Sequence, residues 1–137
     1  MKSAEYLDKL EKLIVSNRII KNSHTTERQV KRFEAYLKVR LTLVDNSILD
    51  VTEYIYAAQE NKAQVKRYSY HWMDSSNQLR LRWDNVRHYP QLPGYPHHLH
   101  DRAEKNVVPS KPMTLSKVLR RIALEIKRTQ DIQHPEP

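Results

Sequence analysis

Residues 33–57 read FEAYLKVRLTLVDNSILDVTEYIYA, and this stretch decides the fold. Apolar and polar residues alternate from Phe33 to Leu43, which is the two-residue period of a half-buried strand. Asp45-Asn46-Ser47 predicts a hairpin turn, and the alternation resumes from Leu49 to Ala57. The stretch therefore predicts two antiparallel strands that share one apolar face.

Two further strands are predicted on the C-terminal side of this hairpin. The polar residues from Gln59 to Gln64 indicate a loop, and Val65 to Met73 is rich in the aromatic and β-branched residues that favour strands. Asp74 to Asn77 is typical of a turn, and a fourth strand is expected from Gln78 to Asp84. Four consecutive strands predict an antiparallel meander.

Helices are predicted before and after the sheet. Ser3 is expected to cap a helix from Ala4 to Ser16, because its apolar residues recur at helical spacing. Thr114 is expected to cap a second helix, in which the residues from Leu115 to Ile126 form one apolar stripe. Each helix has one face to bury, so both are expected to pack on the sheet.

The remaining segments carry weaker patterns. Arg18 to Arg32 predicts a short strand and a loop, and the proline-rich stretch from Val86 to Pro112 predicts an extended loop without a regular element. Residues 1–130 are expected to form a single domain and residues 131–137 a frayed tail. The predicted fold class is α+β, an antiparallel four- to five-stranded meander sheet with an N-terminal and a C-terminal helix packed on it.

The charge of the chain favours a polyanionic partner. There are 24 Lys and Arg residues against 16 Asp and Glu, which gives a formal net charge of +8. Such a charge favours nucleic acid as the partner, with an acidic protein as the second candidate. No membrane partner is expected, because no apolar run approaches a membrane span, and no export segment is present, so we expect a cytoplasmic protein. The absence of cysteine excludes disulfides and thiolate zinc sites.

The chemistry-bearing residues concentrate between His71 and His100, where five of the seven histidines lie among tyrosines and tryptophans. RNA cleavage without a metal needs a base, an acid and a fixed cation that stabilises the charged transition state. Histidine, carboxylate and arginine side chains meet these needs. The candidate catalytic residues are Glu53, His71, Arg82, Asp84, His97, His98 and His100.

Glu53 is a candidate because it interrupts the apolar face of its predicted strand. A carboxylate is costly to bury unless it is paired or used. Arg82 is its expected partner, with Arg80 as an alternative. A structural ion pair explains Glu53 about as well as a catalytic role does.

Several residues are candidates for contact with nucleic acid. Tyr68, Tyr70 and Trp72 share a strand face, where aromatic rings either stack on bases or pack under a helix. We expect packing for at least one of the three. Further candidate contacts with RNA are Arg80, Asn85, Arg120 and Arg121, although the basic face of a helix is more often simply solvated.

A metal site is a weaker alternative for the histidines. His97, His98 and His100, together with Asp84 or Asp101, carry ligand types that suit zinc, nickel or iron. No helical metalloprotease spacing is present, and adjacent loop histidines often only titrate at the surface. No cofactor is therefore expected. For His71, the alternative to a catalytic role is a structural one, as a hydrogen-bonded histidine of the core.

Three blocks of sequence resemble the TumE family of toxin-antitoxin toxins. They are Tyr68-Ser-Tyr-His-Trp, Arg82-Trp-Asp-Asn and Pro96-His-His-Leu-His, in this order and spacing. The likeness spans roughly residues 36–126 and includes the strand that holds Glu53. Leu99 departs from the family, which tends to have a basic residue there, so the electrostatics of this loop differ. The family's motif positions are occupied by Glu53, Tyr68, Tyr70, His71, Arg82, Asp84, Asn85, His97, His98 and His100.

The resemblance implies a small toxin encoded beside a helix-turn-helix antitoxin, which binds it and neutralises it. A ribonuclease-like activity is the usual suggestion for the family. We therefore expect an endoribonuclease with RNA and the antitoxin as partners, in which Glu53 or a loop histidine is the base, another histidine is the acid, and Arg82 clamps phosphate. A non-enzymatic RNA-binding module, a metal-dependent hydrolase and a pure interaction partner are the alternatives, and a homodimer is left open.

Overall fold

The computed structural model describes residues 1–59 and 62–133, and the predicted α+β class is confirmed in that part of the chain. Helix α1 (Ser3–Ser16) precedes the strands, and helix α2 (Leu115–Gln133) follows them. The strands are β1 (Ile20–Val30), β2 (Glu34–Leu43), β3 (Ile48–Tyr56), β4 (Gln64–Met73), β5 (Leu79–Asp84), β6 (His98–Asp101) and β7 (Val107–Pro109). Each strand pairs antiparallel with the next, so the sheet is one meander in the order β1 to β7.

The sheet is larger than the four to five strands predicted, first because β1 is longer than expected. The pattern from Arg18 to Arg32 predicted only a short strand and a loop, but β1 spans 11 residues. Every residue of β1 after Ile20 is exposed, so the strand has no buried face to produce an alternating pattern. Main-chain pairing with β2, and not side-chain burial, keeps β1 in the sheet.

The two added strands lie in the stretch from Val86 to Pro112, where the prediction of no regular element was wrong. Strand β6 pairs with β5, and β7 pairs with β6. Pro96 precedes β6, and Pro109 lies in β7 at the edge of the sheet. Proline is tolerated at both places, because it lacks only an N–H that those positions do not need for the ladder.

The ends of the elements differ in detail from the prediction. Helix α1 begins at Ser3 itself, whose hydroxyl donates to the Lys31 carbonyl at 2.9 Å and does not cap the helix. Thr114 caps α2 as predicted, since its hydroxyl accepts from the Lys117 amide at 3.3 Å. Helix α2 ends at Gln133, and residues 134–137 of the predicted tail lie outside the described residues, as do residues 60 and 61 of the predicted loop.

One core lies between the two helices and one face of the sheet. Alternate residues of β2 to β6 enter it, from Leu37 in β2 to Leu99 in β6. The helices contribute Leu7, Leu10, Ile14, Leu115, Val118, Leu119, Ile122 and Ile126. The other sheet face, which we call the outer face, carries polar side chains. Within the described residues, no helix is long and apolar enough to cross a membrane.

Candidate active site

Four polar side chains meet on the outer face where β5 pairs with β6. The register sets Asp84 opposite His98 and Arg82 opposite His100. Trp83 lies between Arg82 and Asp84 and is buried in the core, so strand alternation turns its two neighbours to the outer face. We call Arg82, Asp84, His98 and His100 the outer-face cluster.

The cluster is tightly connected. Oδ1 of Asp84 lies 2.8 Å from Nε2 of His98, and Oδ2 lies 3.7 Å from Nε2 of His100. Arg82 contacts both Asp84 and His100: its Nε lies 3.3 Å from Oδ2 of Asp84, and its Nη2 lies 3.1 Å from Nε2 of His100. Asp84, His98 and His100 are at most 4% exposed. The three groups are thus held in fixed positions, which is what proton transfer requires.

Main-chain carbonyls fix the orientation of both histidine rings. Nδ1 of His98 lies 3.0 Å from the Pro96 carbonyl, and Nδ1 of His100 lies 2.8 Å from the Glu104 carbonyl. A carbonyl only accepts, so each Nδ1 carries a proton and each Nε2 faces the cluster. The short contact between His98 and Asp84 then holds a proton between them. Nε2 of His100 accepts from Arg82, so it has a lone pair.

A pocket of about 300 Å³ opens onto the cluster. Its walls are Ser69, His71, Arg82, Asp84, Val86, His88, Tyr89, His98 and His100. The Tyr89 ring packs edge-on against His98, with ring centroids 4.8 Å apart. Tyr89 and the exposed His88 were not among the predicted site residues. Their loop has no periodic pattern, so no sequence signal indicates that it folds back over the sheet.

Glu104 is a third residue that the sequence did not single out. Its carboxylate forms a two-point pair with Arg82, at 2.9 Å from Nη1 and 2.7 Å from Nη2. The Glu104 side chain is 55% exposed, whereas that of Arg82 is 25% exposed. The guanidinium fork is therefore already shaped for an acidic group, and an exposed carboxylate occupies it.

His71 lies beside Arg82 on the outer face, where the register pairs the two residues. Burial lowers the pKa of His71, and the positive charge of Arg82 lowers it further. The ring is therefore neutral near pH 7. Within the described part of the chain its buried Nε2 has no hydrogen-bond partner, so the alternative of a hydrogen-bonded core histidine was wrong. A wall of the pocket thus has an unused polar atom.

Glu53 lies away from the cluster, on the core face. It is fully buried and accepts hydrogen bonds from the hydroxyls of Tyr6 at 2.5 Å and Tyr70 at 2.8 Å. The predicted ion pair was wrong, because Arg82 binds Asp84 and Glu104 instead, and the alternative partner Arg80 binds Asp45. Two tyrosine hydroxyls satisfy a buried carboxylate without any arginine.

Burial makes Glu53 sensitive to pH. Desolvation raises its pKa, and the two tyrosine hydrogen bonds offset part of the rise. Folding therefore favours the protonated form, whose contribution to stability is complete below the unfolded pKa of about 4.3 and is lost as the pH rises through the folded pKa. Glu53→Gln cannot ionise, so it does not lose this contribution as the pH rises. The melting temperature of Glu53→Gln minus that of wild type should therefore increase from pH 4 to pH 8.

Thermal unfolding at several pH values, followed by circular dichroism, tests this. Glu53→Ala is the matched comparison, because it leaves both tyrosine hydroxyls without an acceptor and should cost about 2–4 kcal/mol. A gap between wild type and Glu53→Gln that stays constant with pH would contradict the raised pKa.

The three aromatic residues of β4 are buried in the core. Tyr68, Tyr70 and Trp72 are at most 5% exposed. Tyr70 donates to Glu53, and Trp72 donates from Nε1 to the Ser47 hydroxyl at 2.9 Å. A buried ring has no open face for a base, so packing accounts for all three.

His97 does not join the other two histidines of its loop. It precedes β6, and its Nδ1 lies 2.8 Å from the Tyr68 hydroxyl, with the two rings stacked. Tyr68 belongs to the core face, so successive residues of the chain turn His97 and His98 to different sides of the sheet. Of the predicted residues His97, His98, His100 and Asp84, the structure brings the last three together and sets His97 apart.

The other candidate contacts with RNA are engaged elsewhere. Arg80 pairs with Asp45 at 3.2 Å, and the amide of Asn85 continues the strand ladder by binding the main chain of Tyr68 and Lys66, each at 2.9 Å. Arg120 and Arg121 lie on α2, on the side of the sheet away from the cluster. None of these four side chains lies in the cluster.

The comparison with protein families gives one match. Residues 10–130 match the model of the family described as Toxin TumE, which covers most of the chain. No curated protein and no solved structure matches the chain.

Proposed function

The chain belongs to the TumE toxin family, and on that premise we propose that it is an endoribonuclease whose active site is the outer-face cluster. A toxin of this kind implies an antitoxin partner. The observation that carries the proposal is the buried Asp84–His98 pair beside His100 and Arg82, in the wall of a pocket. A base, an acid and a cation within a few ångströms are the groups that metal-free RNA cleavage needs.

The hydrogen-bond pattern supports a different role for each histidine. Nε2 of His100 accepts from Arg82 at 3.1 Å, and once Arg82 turns to the phosphate, that lone pair serves as the base that removes the proton of the ribose 2′-hydroxyl. The 2′-oxygen then forms a bond to the adjacent phosphorus, and the bond from phosphorus to the 5′-oxygen breaks. The proton held between His98 and Asp84 passes to that leaving oxygen. The products are a 2′,3′-cyclic phosphate and a 5′-hydroxyl.

Arg82 is the proposed phosphate ligand. Its fork holds the Glu104 carboxylate at two points, and a phosphate presents two oxygens in the same geometry. Glu104 is mostly exposed, so RNA displaces it at little cost in desolvation. His71 is neutral and lines the pocket beside Arg82, but its Nε2 is buried, so no bond to RNA is assigned to it.

Induced expression tests the function in cells. Wild-type protein and a His98→Gln variant are induced, while growth and the integrity of total RNA are followed in the same cultures. We expect growth arrest with fragmented RNA for the wild type, and neither effect for the folded variant. Arrest with intact RNA would contradict the ribonuclease proposal.

A metal-dependent nuclease is the second candidate function. Ligand atoms of Asp84, His98 and His100 lie within 4.8 Å of one another, and both histidines donate Nδ1–H to a carbonyl, as metal-bound histidines commonly do. The guanidinium of Arg82 favours the metal-free candidate, since it lies 3.1 Å from Nε2 of His100 and would repel a cation there.

Calorimetry with zinc and manganese separates the two candidates. Protein treated with chelator should cleave RNA at an unchanged rate, and the titrations should show no saturable site at micromolar metal. Binding that is lost in Asp84→Asn, together with activity that returns only when metal is added, would establish the metal-dependent candidate instead.

The antitoxin is proposed to be a helix-turn-helix protein, as the resemblance implies, and the pair is expected to act in the cytoplasm. The net charge of +8 supports a partner with an acidic surface.

A further inference from the structure

A second groove lies on the outer face beside the pocket. Its volume is about 550 Å³, and its walls are Tyr54, Tyr56, Lys66, Arg67, Asn85, Val86, Arg87 and Pro96. We call it the tyrosine groove. Among the residues that the structure describes, its walls have three cations and no carboxylate. A groove with this lining attracts a polyanion.

The tyrosine groove adjoins the pocket. Val86 lines both. Arg67 precedes Ser69 of the pocket by two residues on β4, and Asn85 directly follows Asp84 at the end of β5. A chain that lies in the groove therefore reaches the outer-face cluster without crossing the sheet.

The two tyrosines present their rings together with cations. Arg67 lies over the ring of Tyr54, 5.1 Å from its centroid, and Lys66 lies 5.7 Å from the centroid of Tyr56. The Tyr54 hydroxyl donates to Glu34 at 2.6 Å, which fixes the ring. Tyr56 is 38% exposed, unlike the buried tyrosines of β4. The Tyr56 ring is therefore accessible to a stacking partner, whereas Tyr54 is half-buried with Arg67 over its ring.

The three cations have no acidic partner in the described chain. Lys66, Arg67 and Arg87 are exposed, and none forms an ion pair with a described carboxylate. By contrast, Arg28, Arg40, Arg80 and Arg82 are each paired with an acid. Three unpaired positive charges of this face thus lie together beside the pocket, where a phosphate backbone would neutralise them.

We infer that the tyrosine groove binds the single-stranded RNA next to the phosphate that is cleaved, an inference that rests on the proposed function. A base stacks on Tyr56, and phosphates contact Lys66, Arg67 and Arg87. Exposed aromatic rings on a sheet, flanked by cations, bind unpaired bases because every base has a stacking face. A duplex hides those faces, so single strands are the preferred substrate.

The test measures binding apart from cleavage. A fluorescent 2′-O-methyl RNA strand lacks the attacking hydroxyl, so fluorescence anisotropy reports its affinity alone. Arg67→Gln/Arg87→Gln should weaken binding about tenfold and reduce the salt dependence of log K by about 1.4, since each lost phosphate contact removes ~0.7. Tyr56→Ala should also weaken binding by about tenfold. Lys9→Gln/Lys12→Gln on α1 removes the same charge and should bind like wild type.

The outcomes are distinguishable from those for the ribonuclease. Binding that depends on the groove residues, without cleavage of ordinary RNA, would support RNA binding by the tyrosine groove and contradict the proposed ribonuclease function. Folded groove variants that bind and cleave like wild type would overturn the inference and leave the function intact. If the same variants keep RNA affinity and lose the antitoxin, the groove is a protein interface and the inference fails.

Discussion

Replacing His98 with glutamine is expected to lower the rate of RNA cleavage by about 10²–10⁴-fold, the size of a lost acid–base catalyst. The glutamine amide keeps a donor for Asp84, but it cannot release that proton to the leaving oxygen. The His98 side chain is 2% exposed, and it bonds to the Asp84 carboxylate and to the Pro96 carbonyl. The comparison must therefore be made on folded protein, with the melting temperature measured alongside the rate.

His24→Gln is the matched control, because His24 is exposed on β1, far along the sheet from β6. It should leave the rate unchanged. If His98→Gln stays folded and cleaves RNA within about threefold of wild type, His98 is not the acid. The proton at the leaving group would then have to come from elsewhere.

Replacing Arg82 with glutamine is expected to lower cleavage by about 10²–10³-fold, comparable to the loss of one preorganised donor to a charged transition state. Arg82→Lys should recover only part of the rate, since a lysine is a point charge without the two-pronged fork. Toxicity should fall with the rate when these variants are expressed at the same level.

Arg40→Gln separates catalysis from stability in this experiment. Arg40 also makes a two-point pair with a carboxylate across neighbouring strands, at 2.8 and 2.9 Å from Asp50. Arg40→Gln loses a surface ion pair, which contributes no more than about 1 kcal/mol. Arg82→Gln also leaves the buried Asp84 without its arginine, so its melting temperature is measured alongside the rate. A folded Arg82→Gln protein that remains as toxic and as active as Arg40→Gln would remove Arg82 from the site.

The parts of the fold that the sequence predicted are those with one buried face. Strands β2 to β5 and both helices carry an apolar period, because each buries one side against the core. Strand β1 buries almost nothing, and β6 and β7 have four and three residues. Patterns of hydrophobicity cannot reveal strands that are exposed or that short.

The site could be predicted in its residues but only partly in its arrangement. Arg82, Asp84, His98 and His100 were all named as candidates. Strand β6 was not predicted, however, and without it no pattern indicated that His97 and His98 lie on different sides of the sheet. The environment of Glu53 depends on Tyr6, which is 47 positions away in the chain, and such contacts between distant segments are invisible to local pattern. Glu104 and Tyr89 lie in segments without periodicity.

The most direct test of the ribonuclease proposal is end-group analysis of RNA cut by the purified protein in the presence of chelator. A single-stranded RNA is incubated with the wild type, and the product ends are identified by mass spectrometry. Fragments with 2′,3′-cyclic phosphate and 5′-hydroxyl ends are predicted, with no cut 3′ of a nucleotide whose 2′-hydroxyl has been removed. Intact RNA, or fragments with 5′-phosphate and 3′-hydroxyl ends, would contradict the proposal.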